Sequence, residues 1–271
     1  MSVQCLLPAT GNFKPLRNLY LHYNLHQQAA AGDVLIYANY IASLDGRISL
    51  RDDKTEEFAV PETIGNKRDW RLYQELAAQA DVMITSARYF RQLDKGCAQD
   101  LLPVGQAPEY ADLARWRAEQ GLKAQPDVVI VSASLDIPLA AVQSLQQRRV
   151  WVLTIKEADR SRCKKLEGIG VTLVQAGDKQ VSGQGIKAFL IAQAYRSAYM
   201  IAGPAVHRTL LGAGVLNRLF LTTHFSLLGQ NTFHTILQGD MQPVKTALCS
   251  LYLDVNREQM FAQYEIKGDQ A

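Results

Sequence analysis

One stretch decides the fold: Tyr199-Met-Ile-Ala-Gly-Pro-Ala-Val-His-Arg-Thr-Leu-Leu-Gly-Ala-Gly-Val-Leu-Asn-Arg-Leu-Phe-Leu-Thr-Thr-His-Phe-Ser-Leu-Leu-Gly229. Tyr199 to Ala202 reads as a buried strand, Gly203-Pro204 as a turn, the next residues as a short helix, and Arg218 to His224 as a second buried strand. Gly203 can take a positive φ and lets another backbone, or a ligand, come close. Pro204 has no N–H to lose, and its fixed φ suits a first helical turn. The amides of Ala205, Val206 and His207 would then be free donors at the positive end of a helix, a ready place for a phosphate or diphosphate. The same residues fit an ordinary strand–turn–helix connection with no ligand. Gly212 and Gly214 close the helix before Val215 starts the run into the next strand.

Working outward, the 271 residues are 48% hydrophobic and 20% charged, the mix of a globular chain with a substantial core. A net charge of +3, with no Lys/Arg run beyond pairs such as Arg148-Arg149, does not fit a nucleic-acid surface. The four cysteines, Cys5, Cys97, Cys163 and Cys249, are scattered, which suggests neither a zinc site nor a disulfide framework. No metal is expected. No apolar run approaches a membrane span, and no charged segment followed by an apolar one opens the sequence. A cytoplasmic protein with no membrane partner is the expectation.

Along the chain, Val34 to Ala42 is the first clear strand, nearly continuous in apolar residues, with Asn39 the lone amide inside it. Ser43-Leu44-Asp45-Gly46-Arg47 breaks it and Ile48-Ser49-Leu50 resumes. Ligands collect where buried strands end in polar turns; a plain Asp-Gly hairpin turn fits the residues equally well. Residues 51–63 are charged and read as a mobile flap. Ile64 to Ala80 carries a helical pattern, and Val82-Met83-Ile84 forms a strand ending in Thr85-Ser86-Ala87. Those hydroxyls suit a ligand's phosphate or ribose oxygens, or a helix N-cap. After a loop over 91–107 come a helix from Tyr110 to about Gly121, a strand from Asp127 to Val131 ending in Ser132, a helix from Pro138 to about Gln147 and a strand from Val150 to Thr154. Two strands ending in small hydroxyls point to a shared groove. Val171 to Val174 is a further strand and Gly183 to Gln193 a helix. Pro243 to Leu253 and Met260 to Ile266 alternate like an antiparallel hairpin. Residues 1–32, with a helix over Leu16 to Ala31, read as an N-terminal arm that covers the sheet or reaches a partner subunit; 33–271 form the main domain. His22 and His26 suit a solvated or packed face better than a metal.

Tyr40-Ile-Ala-Ser-Leu-Asp-Gly-Arg-Ile48, Ala80-Asp-Val-Met-Ile-Thr-Ser-Ala87 and the Ala202-to-Gly229 block, in that order, resemble the reductase domain of the bifunctional riboflavin-biosynthesis deaminase-reductase, in the dihydrofolate-reductase-like superfamily. The likeness covers roughly residues 34–266. It implies an α/β fold, with a mostly parallel central sheet flanked by helices and an antiparallel C-terminal hairpin. It also implies NADPH as cofactor, a small-molecule substrate and a homodimer. In that picture Gly203, Pro204, Ala205, Val206 and His207 hold the cofactor phosphates. Thr85, Ser86 and Ala87 line the groove, Ser132 and Thr154 lie toward the adenosine, Ala42 and Ser43 lie near the nicotinamide, and Leu228 and Gly229 close the groove.

The sequence departs from the family where substrate charges are implied. Ile201-Ala202-Gly203 replaces an acidic residue in a Glu-Gly-Gly turn, Asn39 stands where Lys or Arg is usual, and Pro103-Val104-Gly105 offers no Arg to a substrate phosphate. The zinc deaminase signatures are absent. The expected function is an NADPH-dependent reductase of a small heterocycle, pyrimidine- or pterin-like, at a C=N or C=O bond. It resembles the 5-amino-6-(5-phosphoribosylamino)uracil reductase. Asp45 is the candidate proton donor, unless it only shapes its turn, and Asn39 the candidate substrate holder; His207 and His224 suit structural roles. The alternative is a non-catalytic NADPH- or pterin-binding protein that has lost its substrate site, and a turn that binds no nucleotide at all would remove both.

Overall fold

Strands buried on both faces need helices on both sides of their sheet, and the chain is laid out accordingly. The computed structural model describes residues 1–98, 106–145 and 148–267. Strands β1 (Ser2–Leu7), β2 (Phe13–Pro15), β3 (Leu35–Ser43), β4 (Ser49–Arg51) and β5 (Phe58–Ala59) come first. Next are α1 (Lys67–Ala78), β6 (Val82–Ser86), α2 (Ala87–Asp94), α3 (Ala111–Glu119), β7 (Asp127–Val131) and α4 (Leu139–Gln143). Then follow β8 (Val150–Thr154), α5 (Arg160–Glu167), β9 (Thr172–Gln175), α6 (Gly183–Ala192), β10 (Ser197–Met200) and α7 (Pro204–Gly212). Strands β11 (Arg218–His224), β12 (Phe233–His234), β13 (Thr246–Asp254) and β14 (Gln259–Ile266) complete the described chain.

Eleven strands form one sheet in the order β2-β1-β13-β14-β11-β3-β10-β6-β7-β8-β9. From β11 to β9 neighbouring strands run parallel, so their C-terminal ends share one edge; β14, β13, β1 and β2 extend the sheet antiparallel. This is the expected fold class. Strand β3 lies in the middle, and every residue of it except Asn39 is buried. Its alternating side chains feed two cores. Ile36, Ala38 and Tyr40 pack with Ile186, Phe189 and Leu210 of α6 and α7. Leu35 and Tyr37 pack with Leu72 and Leu76 of α1 and with Leu16, Tyr20 and Leu25.

Residues 1–32 differ from their sequence reading. The helix expected over Leu16 to Ala31 is two short 3-10 turns, Leu21–Tyr23 and Leu25–Gln27. Ahead of them β1 joins the main sheet, pairing Val3 with Asp254 and Cys5 with Tyr252. A helix, α2, occupies the start of the expected loop over 91–107. The expected flap over 51–63 contains paired backbone, because β12, β4 and β5 form a second, three-stranded sheet. Among the described residues no helix is long and apolar enough to cross a membrane.

What fixes α1 against the N-terminal segment is a buried carboxylate. Glu75 accepts hydrogen bonds from the amides of Asn18 (2.6 Å) and Tyr20 (2.9 Å) and from Nε of Arg71 (2.8 Å). Arg71 in turn grips Asp112 of α3 through two contacts of 3.0 and 2.6 Å. Burial pushes the Glu75 pKa up, against the pull of the Tyr20 amide and Arg71. Gln79 adds a bond from Leu25 N and another to Tyr20 O, each 2.9 Å. Truncating one partner of such a network strands the other groups without water. Glu75→Ala is therefore expected to cost roughly 3–5 kcal/mol in urea unfolding, with faster amide exchange over Asn18 to Leu25.

Candidate active site

At the C-terminal edge of the parallel strands lies a cavity of about 590 Å³. Asn39 and Ile41 of β3, Thr85 and Ser86 of β6 and the Ile201–Gly203 turn after β10 form its strand-end wall. Helix α1 supplies Asp69, Trp70 and Tyr73, α2 supplies Arg88 and Tyr89, and the small sheet supplies Ser49, Phe58 and Ala59. The small sheet is held over the opening from α2: Arg88 and Gln92 both donate to the carbonyl of Phe58, at 3.2 Å each. The Phe58 ring stacks on His234 at 3.8 Å.

Asp69 was not among the residues singled out from sequence. Asn66 caps α1, its Oδ1 accepting from the amides of Arg68 (3.0 Å) and Asp69 (3.1 Å), which places Asp69 in the first helical turn. There the side chain is only 9% exposed and its Oδ1 has no hydrogen-bond partner. Burial pushes its pKa up to about 6, and a hydrogen bond with Thr222 of β11 opposes that only in part. A carboxyl group with this environment keeps its proton to a higher pH than an ordinary carboxylate does, and it lines the cavity.

Asp45, expected as the proton donor, has other work. Its carboxylate takes a short hydrogen bond from Ser43 Oγ and pairs with Arg47. It also accepts from the amides of Leu228 (3.1 Å) and Gly229 (3.0 Å). The Ser43 hydroxyl first, then those amides and Arg47, hold its pKa below the usual carboxylate range. A carboxylate so stabilised is a poor acid, and it does not line the cavity; it staples the Ser43–Arg47 bend to the Leu228–Gly229 turn. The same bonds occupy the Leu228 and Gly229 amides. Ala42 and Ser43 are buried at the end of β3 without lining the cavity.

The turn after β10 is formed differently from its sequence reading. Gly203 has φ −72° and ψ −174°, ordinary extended backbone, so no positive φ is used there. Pro204 starts α7 and no side chain caps it, leaving Ala205 and Val206 as its uncapped first-turn amides. The His207 amide is not free: it bonds the Gly203 carbonyl at 3.3 Å. The His207 side chain is fully buried, with Nδ1 2.7 Å from the Ile236 carbonyl and the ring stacked on Tyr40. Burial lowers its pKa, which makes it a neutral structural imidazole. A Cβ added at Gly203 would meet nothing within 4 Å, so there is room for a ligand group beside those amides. With the hydroxyls of Thr85 and Ser86 on the neighbouring strand end, the donors fit a dinucleotide's phosphates and ribose.

The remaining expected groove residues separate. Ser86 is the N-cap of α2 but makes no side-chain capping bond, and Ala87 is packed into the core beneath α2. Ser132 Oγ accepts from Leu135 N at 3.0 Å, which closes its own turn. Thr154 lines a second cavity, at the ends of β8 and β9. Pro103-Val104-Gly105 lies outside the described residues. No group of three or more His, Cys, Asp or Glu side chains among the described residues could hold a metal.

Residues 34–256 match the RibD C-terminal domain. The chain belongs to the RibD C-terminal domain family. It is an oxidoreductase of that reductase family, as the motifs implied. No curated protein matches the sequence. Among solved structures, a pyrimidine reductase-like protein from Corynebacterium diphtheriae aligns with a TM-score of 0.71 at 18% identity, covering 92% of this chain and 99% of that one. The riboflavin biosynthesis reductase of Saccharomyces cerevisiae aligns at 0.59 and 14% identity, over 92% and 99%. RibD of Acinetobacter baumannii aligns at 0.60 and 16% identity, over 88% of this chain and 59% of that one. At these identities the likeness concerns the fold. The strand-end cavity of this chain presents Asn39 and Ala202 as neutral residues in its wall.

Because Asp45 ties two loops together from the surface, Asp45→Ala is expected to speed amide exchange at Leu228 and Gly229 selectively. Thermal unfolding should move little beside the change at Glu75, since partly exposed carboxylates contribute modestly.

Proposed function

We propose that the protein is an NADPH-dependent reductase of a small pyrimidine- or pterin-like heterocycle, acting at a C=N or C=O bond. The observation that carries this reading is Asp69: a carboxyl group with its pKa raised to about 6, lining a cavity at the C-terminal ends of parallel strands, where open α/β sheets bind ligands. The Ala205 and Val206 amides hold the diphosphate, and Thr85 and Ser86 donate to the ribose and phosphate oxygens. The chemistry supplied by the bound cofactor is hydride donation to an electrophilic carbon. Asp69 holds the proton that passes to the substrate nitrogen or oxygen next to that carbon. Asn39 orients the heterocycle by its amide, while Trp70, Tyr73 and Phe58 keep water from the reacting atoms.

Ala202 and Asn39, standing where the family resemblance implies charged residues, separate this reading from a second one: a protein that binds the nucleotide without turning a substrate over. Turnover decides between them. NADPH oxidation is measured with a panel of oxidised pyrimidines, pterins and cyclic imines. Oxidation that depends on one class supports the reductase, whereas tight NADPH binding with no turnover on any of them supports the binding protein.

Asp69 is protonated below pH 6 and ionised above it, so kcat/KM should fall as pH rises through about 6, approaching a tenfold loss per unit. Asp69→Asn should lower kcat by about 10²–10⁴-fold and remove that pH step, leaving NADPH binding intact. An unchanged pH profile in the variant would sink the assignment.

A further inference from the structure

Gln259 does not line the cavity, yet it reaches the helical turn that carries Asp69. It opens β14 and is 2% exposed. Its Oε1 accepts from Nδ2 of Asn66 at 2.8 Å, and its own Nε2 donates back to Asn66 Oδ1 at 3.3 Å, a reciprocal amide pair between residues 193 positions apart. Asn66 is the cap of α1. Its Nδ2 also donates to the Ile64 carbonyl at 2.9 Å, while its Oδ1 takes the amides of Arg68 and Asp69.

A side-chain amide has a donor end and an acceptor end of nearly the same shape. Turned over, Asn66 would set its nitrogen against two backbone N–H donors and its oxygen against the Ile64 carbonyl. The cap works in one orientation, which the Ile64 carbonyl and Gln259 Oε1 select. Beside this pair Asp254, the last residue of β13, is fully buried and pairs with Arg68 of the same helical turn. The turn end of the β13–β14 hairpin thus holds the first turn of α1 through two side chains.

Resting on the reading of Asp69 as proton donor, we infer that Gln259 is a positioning residue for that carboxyl group, acting through the Asn66 amide. With Gln259 in place the cap keeps the Asp69 amide bonded and its side chain packed in the cavity wall. Burial is the larger cause of the raised Asp69 pKa. A first turn that frays gives the carboxyl group water and brings its pKa back down.

The test is the titration of Asp69, which needs no substrate. In the full chain, isotope-labelled at its aspartate carboxyl carbons, the Asp69 signal is identified by its loss in Asp69→Asn and should titrate at about pH 6. Gln259→Met, of similar length and without the amide, should lower that midpoint by about one unit. Asn66→Ala should lower it as much with Gln259 in place, and it probes the cap even where Gln259→Met folds poorly. Serine caps a helix about as well as asparagine, and its single oxygen has no wrong way round. In Asn66→Ser the midpoint should stay near the wild-type value, and adding Gln259→Met should move it little, the mark of two residues acting as one unit. A Gln259→Met shift equally large in both backgrounds, no shift in the wild-type background, or no shift in Asn66→Ala would overturn the positioning role while leaving Asp69 as donor standing. A wild-type Asp69 that titrates in the ordinary carboxylate range would remove the donor reading, and with it the group to be positioned.

Discussion

The site depends on α1 being held rigidly against the sheet, and a charge without water does the holding. Glu75, fully buried, collects two backbone amides from the N-terminal segment and the guanidinium of Arg71, which reaches on to α3. At the other end of the helix Arg68 pairs with the buried Asp254 of β13 and donates to the Ser2 carbonyl at 2.9 Å. Both ends of α1 are thus tied to strands or segments distant in sequence. The face between them carries Asp69, Trp70 and Tyr73 into the cavity. Groups at a reacting centre must be placed to within fractions of an ångström, and this helix has little freedom to drift.

Two aspartates near the centre of the fold show how environment decides chemistry. Asp45 sits among donors, and each one favours the charged form. Asp69 sits in an apolar wall with a hydroxyl as its listener, and burial favours the neutral form. The two environments pull the carboxyl pKa values apart, one held down among donors and the other raised by burial. The buried histidine at α7 takes neither part; its donor is committed to the Ile236 carbonyl.

Much of the scaffold was legible in the residues. Strands β7, β8 and β11 coincide with their sequence ranges, and β7 and β8, which lie between parallel neighbours, read as short, mostly apolar runs. The Gly203-Pro204 turn and its helix were legible for the same kind of local reason. Strand β1 was not: β13 joins it to the main sheet, and a pairing over that separation leaves no local periodicity beyond Val3 and Cys5 facing inward. Asp69 was missed because an acid in the first turn of a charged helix is favourable with or without burial. Only Thr222, brought from β11, and the cavity beside it distinguish the two. Asp45 was read toward chemistry because an Asp-Gly bend at a strand end looks the same whether its carboxylate is free or bound. The Leu228 and Gly229 amides that settle the matter lie far along the chain.

The strand order also governs how the protein must be made. Strand β3 takes both its sheet neighbours, β10 and β11, from residues beyond 196, and Val3 waits for Asp254. During synthesis this central strand therefore leaves the ribosome well before either flanking partner exists, with both hydrogen-bonding edges open. Such non-local topology belongs to the slow end of the folding spectrum and exposes the nascent chain to mispairing. Completion comes late, when the last hairpin arrives and receives the first strand at its side.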